Sequence, residues 1–181
     1  MTDVATIQRP EIINDLFEQD LIARCQQGEI NAFRELYDLH GTMLFSIAMR
    51  VLGKKEDAED AMQNAFTRLF KNIGQFRFQS KFSSYLVRIL INSCYDIIEK
   101  RKQSFDSIDS IQQSTESFPD LKMALEKAIT LLPLKMRECF ILFAVQGFKQ
   151  SEVAEMLEIK EGTVKAHIFQ AKEKLKQTLK D

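Results

Sequence analysis

The sequence predicts an all-α protein made of two small helical domains joined by a flexible acidic linker. Three observations carry that reading. Apolar residues recur at helical spacing along most of the 181 residues, and no alternating apolar–polar run of strand length stands out. Glycine and proline are sparse, at 6 and 3. Charge is also segregated. Residues 1–20 sum to about −4, 21–102 to about +4, 103–119 to about −3 and 120–181 to about +2. A net charge of −1 therefore hides two basic bodies and does not exclude a nucleic-acid partner. The 45% hydrophobic content is enough for packed cores.

Residues 1–13 carry little pattern and are expected to form a loose tail ending near Pro10. The first domain is expected over 14–102. Asn14 is placed to cap a helix through Leu16, Phe17, Leu21 and Ile22 that stops near Gly28. A second pattern runs from Glu29 to about Leu52 on Ala32, Phe33, Leu36, Tyr37, Leu44, Ile47, Ala48 and Val51. Gly41 is a candidate kink within it, and Gly53 beside Lys54 and Lys55 is a stop signal. A third helix, about Glu56 to Asn72, buries Ala58, Ala61, Met62, Ala65, Phe66 and Leu69. Asp57, Glu59, Asp60, Gln63 and Asn64 fall mostly on its other side. Acids in a first turn suit the helix dipole, and the same face would serve a partner equally well.

From Gly74 to Asn92, aromatic and basic residues alternate closely: Phe76, Arg77, Phe78, Lys81, Phe82, Tyr85 and Arg88. Rings offer sequence-tolerant stacking to unpaired bases, and cations track phosphates. The competing reading is that Phe76, Phe82 and Leu86 pack a helix junction. Ser83 or Ser84 can cap the helix that follows, which runs through Leu90, Ile91 and Ile98 to Lys100, Arg101 and Lys102. Residues 103–119 are rich in Ser, Gln and Asp, have no Lys or Arg, and read as the linker.

The second domain is expected over 120–181. Ser117, Pro119 and Asp120 signal the start of a helix carrying Leu121, Ala124, Leu125, Ala128 and Ile129. The Leu131-Leu132-Pro133 run breaks it. A very apolar helix from about Lys135 to Gln146 ends at Gly147. Gly147 to Leu175 then reads as helix, turn, helix. Val153, Ala154 and Leu157 line the first helix, and Val164, Ile168, Ala171 and Leu175 line the second. The second helix turns Lys165, His167, Gln170, Lys172 and Lys174 outward, and the small Ala154 allows close approach. In a DNA-binding helix-turn-helix the second helix enters the major groove. The alternative is an ordinary helical hairpin within a core.

Several classes are disfavoured. Cys25, Cys94 and Cys139 are scattered, no CxxC exists, and His40 and His167 are the only histidines, so no metal or cofactor is expected. Isolated cysteines suit buried thiols in a reducing cytoplasm. The first 20 residues have neither a basic n-region nor an apolar h-region. No Gly-rich phosphate loop, HExxH or G-x-S-x-G is present, so no enzyme is expected.

Six stretches together resemble the RNA polymerase sigma factors of the small extracytoplasmic-function (ECF) type. They are AFRELY at 32–37, DAEDAMQNAFTRLF at 57–70, SYLVRILINSCYD at 84–96, LLPLKMRECFIL at 131–142, SEVAEML at 151–157 and EGTVKAHIFQAKEKL at 161–175. The resemblance implies a non-catalytic factor that binds core RNA polymerase and directs initiation at promoters. By that likeness Asp57, Glu59, Asp60, Gln63 and Asn64 contact the β′ clamp helices, and the last domain meets the β flap. Phe76, Arg77, Phe78, Gln79, Ser80 and Lys81, backed by Tyr85, Arg88 and Asn92, recognise and open the minus-10 element. Lys165, Ala166, His167, Phe169 and Gln170 read the minus-35 duplex, with Thr163 and Lys172 on phosphate. The linker would run toward the RNA exit channel. An anti-sigma factor is an implied partner, no small-molecule substrate is implied, and the free chain would be a monomer.

The chain departs from the family pattern in three places. Tyr85 stands where the family usually has Trp. Lys149 and Lys160 replace Ser or Thr helix caps, each worth about 1 kcal/mol. Ala166, His167 and Gln170 lack the bidentate guanine contact of arginine, so a promoter unlike the commonest ECF consensus is expected. Two rival readings are a DNA-binding regulator that uses only the helix-turn-helix and a helical adaptor that mimics sigma. The regulator does not need the Asp57–Asn64 face, and the mimic does not need the base-stacking loop.

Overall fold

The computed structural model describes residues 10–104 and 121–179, and among them there are only helices and turns. The first unit comprises α1 (Pro10–Gln26), α2 (Ile30–Leu52), α3 (Lys55–Asn72), a 3-10 turn (Ile73–Gln75) and α4 (Phe82–Ser104). The second comprises α5 (Leu121–Thr130), α6 (Leu134–Phe140) continued by one π turn (Ile141–Val145), α7 (Gln150–Leu157) and α8 (Glu161–Thr178). The expected all-α, two-unit architecture holds. Residues 1–9, and residues 105–119 of the expected linker, lie outside the described residues.

Apolar spacing explains what each helix buries. Leu36, Leu44, Ile47, Ala48 and Val51 of α2 are buried, and so are Ala58, Ala61, Ala65 and Leu69 of α3. Leu86, Leu90, Ile91 and Cys94 of α4 close the same core. The small alanines of α3 let it lie close against both α2 and α4. Gly53 ends α2 in the left-handed region at φ +74°, its N–H donating to the Met49 carbonyl. Glycine suits this position because a Cβ is disfavoured there.

Three local expectations need correction. Helix α1 begins at Pro10 rather than after Asn14, so the tail does not extend to residue 13. Proline fits a first helical position because its φ is already set and it has no amide hydrogen to leave unpaired. Neither Ser83 nor Ser84 caps α4. The helix starts at Phe82, the Tyr85 N–H donates to the Lys81 carbonyl at 3.2 Å, and Ser84 is buried inside the first turn. Helix α4 also runs to Ser104, past the basic cluster. Helix α2 is unbroken through Gly41, which lies buried beside the Tyr37 ring.

The two units pack on each other. Helix α7 lies against α4, while α5 and α6 meet the C-terminal half of α2. Arg50 forks onto Glu126 at 2.9 and 2.6 Å. Arg137 donates to the Val51 carbonyl at 2.7 Å, and Tyr95 donates to Glu138 at 2.7 Å.

Candidate functional site

Three surfaces carry the residues singled out from sequence. The first is a groove of about 510 Å³ between α3 and α4, lined by Asp57, Asp60, Gln63, Asn64, Ile97, Lys100 and Arg101. Residues 57, 60, 63 and 64 share one side of α3 because helical spacing brings i, i+3 and i+4 together. Asp57 is half-buried and paired with Arg101. Burial pushes the Arg101 guanidinium below its ordinary pKa. Asp60, Gln63 and Asn64 are exposed. Glu59 does not line the groove; it faces Lys55 at 3.7 Å one turn earlier. Lys100 and Arg101 also line this surface, although from sequence they read only as the end of the fourth helix. Their placement depends on how α4 crosses α3.

The second surface is the loop between the 3-10 turn and α4. The Gln26 side-chain amide donates to the Ile73 carbonyl at 3.0 Å and to the Phe76 carbonyl at 3.1 Å, tying α1 to the loop. Phe76 is only 6% exposed, and its ring centroid lies 5.0 Å from those of Phe78 and Tyr85 and 5.3 Å from that of Phe82. It is a core ring that supports the loop and is not open to a stacking base, which is the competing reading of the aromatic cluster. Phe78 is 47% exposed and sits in the left-handed region at φ 57°, which turns its ring outward. Such a conformation costs a non-glycine residue about 1–2 kcal/mol. Beside it lies a cavity of about 600 Å³, walled by Gln79, Ser80 and Lys81 and by Glu18 and His40, whose side chains are 2.9 Å apart. Arg77 and Gln79 are exposed, and Ser80 is half-buried. On α4, Tyr85 is half-buried while Arg88 and Asn92 are exposed. Burial raises the Tyr85 phenol pKa against the opposing effect of Arg88.

The third surface is α8. Val164, Ile168, Ala171 and Leu175 are buried, while Thr163, Lys165, Ala166, Phe169, Gln170 and Lys172 are exposed. Phe169 is the most open of the large apolar side chains here, at 66%. His167 is half-buried, and Lys172 rests over the Phe143 ring. Lys149 and Lys160 occupy the cap positions of α7 and α8 with extended backbone. An ammonium group cannot accept an amide hydrogen. At α7 the cap is reversed, and the Glu152 carboxylate accepts from the Lys149 N–H at 2.8 Å.

Cys25, Cys94 and Cys139 are buried, and burial pushes their thiols up to about 11, 12 and 11. Among the described residues no cluster of His, Cys, Asp and Glu could hold a metal, and no helix is long and apolar enough to cross a membrane.

Comparison with known proteins agrees with this geometry. Residues 36–104 match the family model for sigma-70 region 2, and residues 122–175 match that for sigma-70 region 4. ECF RNA polymerase sigma factor SigW of Bacillus subtilis is 29% identical, over 88% of this chain and 95% of its own. ECF sigma factor SigM of Mycobacterium tuberculosis is 28% identical, over 90% of this chain and 84% of its own. Among solved structures, the sigma factor RpoE in complex with the anti-sigma factor NepR from Bartonella quintana superposes with a TM-score of 0.70 at 25% identity, covering 83% of this chain and 98% of that one. CnrH in complex with the cytosolic domain of CnrY gives 0.69 at 25% identity, covering 88% and 95%. The two region models follow one another in this order and together span well over half the chain. The protein therefore belongs to the ECF-type RNA polymerase sigma factors, which direct promoter-specific transcription initiation and are not enzymes.

Proposed function

We propose that the three surfaces divide the work of initiation. The first unit docks on the β′ clamp helices of core polymerase through Asp60, Gln63 and Asn64, with Asp57 held in place by Arg101. Its loop takes up the separated minus-10 strand. Phe78 offers the open ring, and Arg77, Lys81, Arg88 and Asn92 follow the backbone. In the second unit α8 reads the minus-35 duplex through Lys165, Ala166, Phe169 and Gln170. His167 lies at the edge of that face, and Thr163 and Lys172 touch phosphate. The observation that carries this reading is the split of α8 into a fully seated apolar stripe and an exposed polar face with one open aromatic. A helix serving only as core would not leave Phe169 in solvent. By likeness to the RpoE–NepR complex, an anti-sigma factor would hold this chain as well.

Run-off transcription with core polymerase tests the reading. Initiation at defined start sites that requires this protein supports it, and duplex binding without polymerase-dependent initiation would favour a plain regulator. Asp60→Ala with Gln63→Ala should weaken core binding about tenfold without changing the melting temperature. Unchanged core affinity would remove that face from the interface.

A further inference from the structure

The way the two units meet has a consequence for the strand-opening surface. Lys81 and Arg88, two of its cations, face carboxylates of the other unit. Lys81 Nζ lies 2.9 Å from Glu152, and Arg88 lies 3.7 Å from Glu158. Both acids belong to the helix-turn-helix. Glu152 is in the first turn of α7 and Glu158 is in the turn leading to α8. Glu158 adopts a left-handed backbone, φ 54° and ψ 43°, a position where glycine is the usual occupant. The chain tolerates a strained acidic residue at the point where its carboxylate reaches Arg88. We propose that this closed arrangement is self-masking: the acidic edge of α7 occupies the cations that would otherwise bind the minus-10 strand. The proposal rests on the reading of the loop given above.

The closure is selective. It leaves Asp60, Gln63 and Asn64 open on α3, and Lys165, Phe169 and Gln170 open on α8. The closed chain can therefore meet polymerase and intact duplex before it can hold a separated strand. It is also built to release. Ion pairs of the Lys81–Glu152 kind, with the ammonium largely in solvent, strengthen an association only about two- to fivefold each. The anchor deeper in the contact is Glu138, which is 0% exposed. Its Oε2 accepts from Tyr95, while its Oε1 has no hydrogen-bond partner among the described residues. A buried carboxylate with one oxygen unsatisfied disfavours the state that buries it. Polymerase surfaces that draw the two units apart would relieve that burial.

The test uses the full chain labelled for energy transfer through Thr42→Cys and Gln177→Cys, both exposed positions on different units. Its native cysteines are buried. Three further variants loosen the contact. Glu152→Gln keeps the cap hydrogen bond and drops the charge. Glu158→Gly removes the carboxylate at a position glycine prefers. Tyr95→Phe removes the Glu138 hydrogen bond with no change of charge. The probe is a fluorescein-labelled 15-nucleotide single strand of mixed sequence, followed by anisotropy at low salt. Expected are high transfer in the parent, lower transfer in each variant, and three- to tenfold tighter strand binding that includes Tyr95→Phe. Low transfer in the parent, or opened variants with parental strand affinity, would overturn the masking. Adding Lys81→Ala to an opened variant separates the two ideas. If strand binding then stays unchanged, the reading of the loop fails, while the energy-transfer result still decides whether the chain is closed.

Discussion

Gln26 is exposed, yet its amide bridges two carbonyls across the turn that launches the loop proposed to take up the separated strand. Gln26→Leu keeps approximate volume and removes both donors. A neutral intramolecular hydrogen bond contributes about 0.5–1.5 kcal/mol. Water can reach the vacated carbonyls, which keeps the loss for the pair to about 1–2 kcal/mol. If that energy holds the loop in the form that presents Phe78, the competent population falls roughly five- to thirtyfold. Permanganate reactivity of unpaired thymines at a promoter, measured with saturating holoenzyme, should fall to match. Core polymerase affinity should stay unchanged, because Asp60, Gln63 and Asn64 lie on another surface. Gln26→Glu should be at least as poor, since an ionised carboxylate has no hydrogen to donate. Open-complex yields within twofold of the parent for both variants would refute the bracing role. A parallel loss of core affinity would show general damage instead.

Further expectations concern the second unit and its contact with the first. Ile168→Ala, at a side chain 4% exposed, should lower stability by about 2–5 kcal/mol in thermal melts. Phe169→Ala, on the open face of the same helix, should change it by less than about 0.5 kcal/mol while altering promoter preference in a binding-site selection. The inter-unit contact should depend on pH in two directions. Lys81 and then the Lys149 N–H hold the Glu152 carboxyl below its ordinary value. That contribution is complete above about 4.5 and is lost as pH falls through the depressed pKa. Burial raises the Glu138 carboxyl, against the lowering effects of Tyr95, Lys135 and Arg137. Its contribution is complete below about 4.5 and is lost as pH rises through the raised pKa. Glu138→Gln should flatten the second limb of an energy-transfer titration. Finally, iodoacetamide at neutral pH should label the native protein far more slowly than the denatured one, because all three thiols are buried and raised.

Helix count, the helix-turn-helix and the polar face of α3 were legible in the sequence because each rests on local periodicity. Val164, Ile168, Ala171 and Leu175 share a stripe whatever surrounds them. The aromatic loop was only half legible. Phe76 and Phe78 are two residues apart and chemically identical, yet one is core and the other exposed. The left-handed backbone at Phe78 decides the difference, and no residue type announces it. The packing of the units left the least trace. Glu126, Glu138, Glu152 and Glu158 look like ordinary surface acids of amphipathic helices. Their partners Arg50, Tyr95, Lys81 and Arg88 are 43 to 76 residues away in sequence. The role of Gln26 leaves no trace for the same reason, since its acceptors are backbone carbonyls 47 and 50 residues on.

The π turn at Ile141–Val145 closes with the Gln146 N–H on the Ile141 carbonyl at 3.0 Å, five residues back instead of four. It therefore holds one residue more than α winding requires. Deleting Ala144 would let that N–H meet the same carbonyl four residues back, restoring α winding while leaving all that follows in place. Gln146 would keep Ser46, which it reaches at 3.3 Å, whereas the same deletion in the regular turns of α6 would swing α7 and α8 as one block by roughly 100°. The aim of α8 thus depends on the residue count of α6, a phase that no exchange of side chains could correct, with the π turn as the slack in that count.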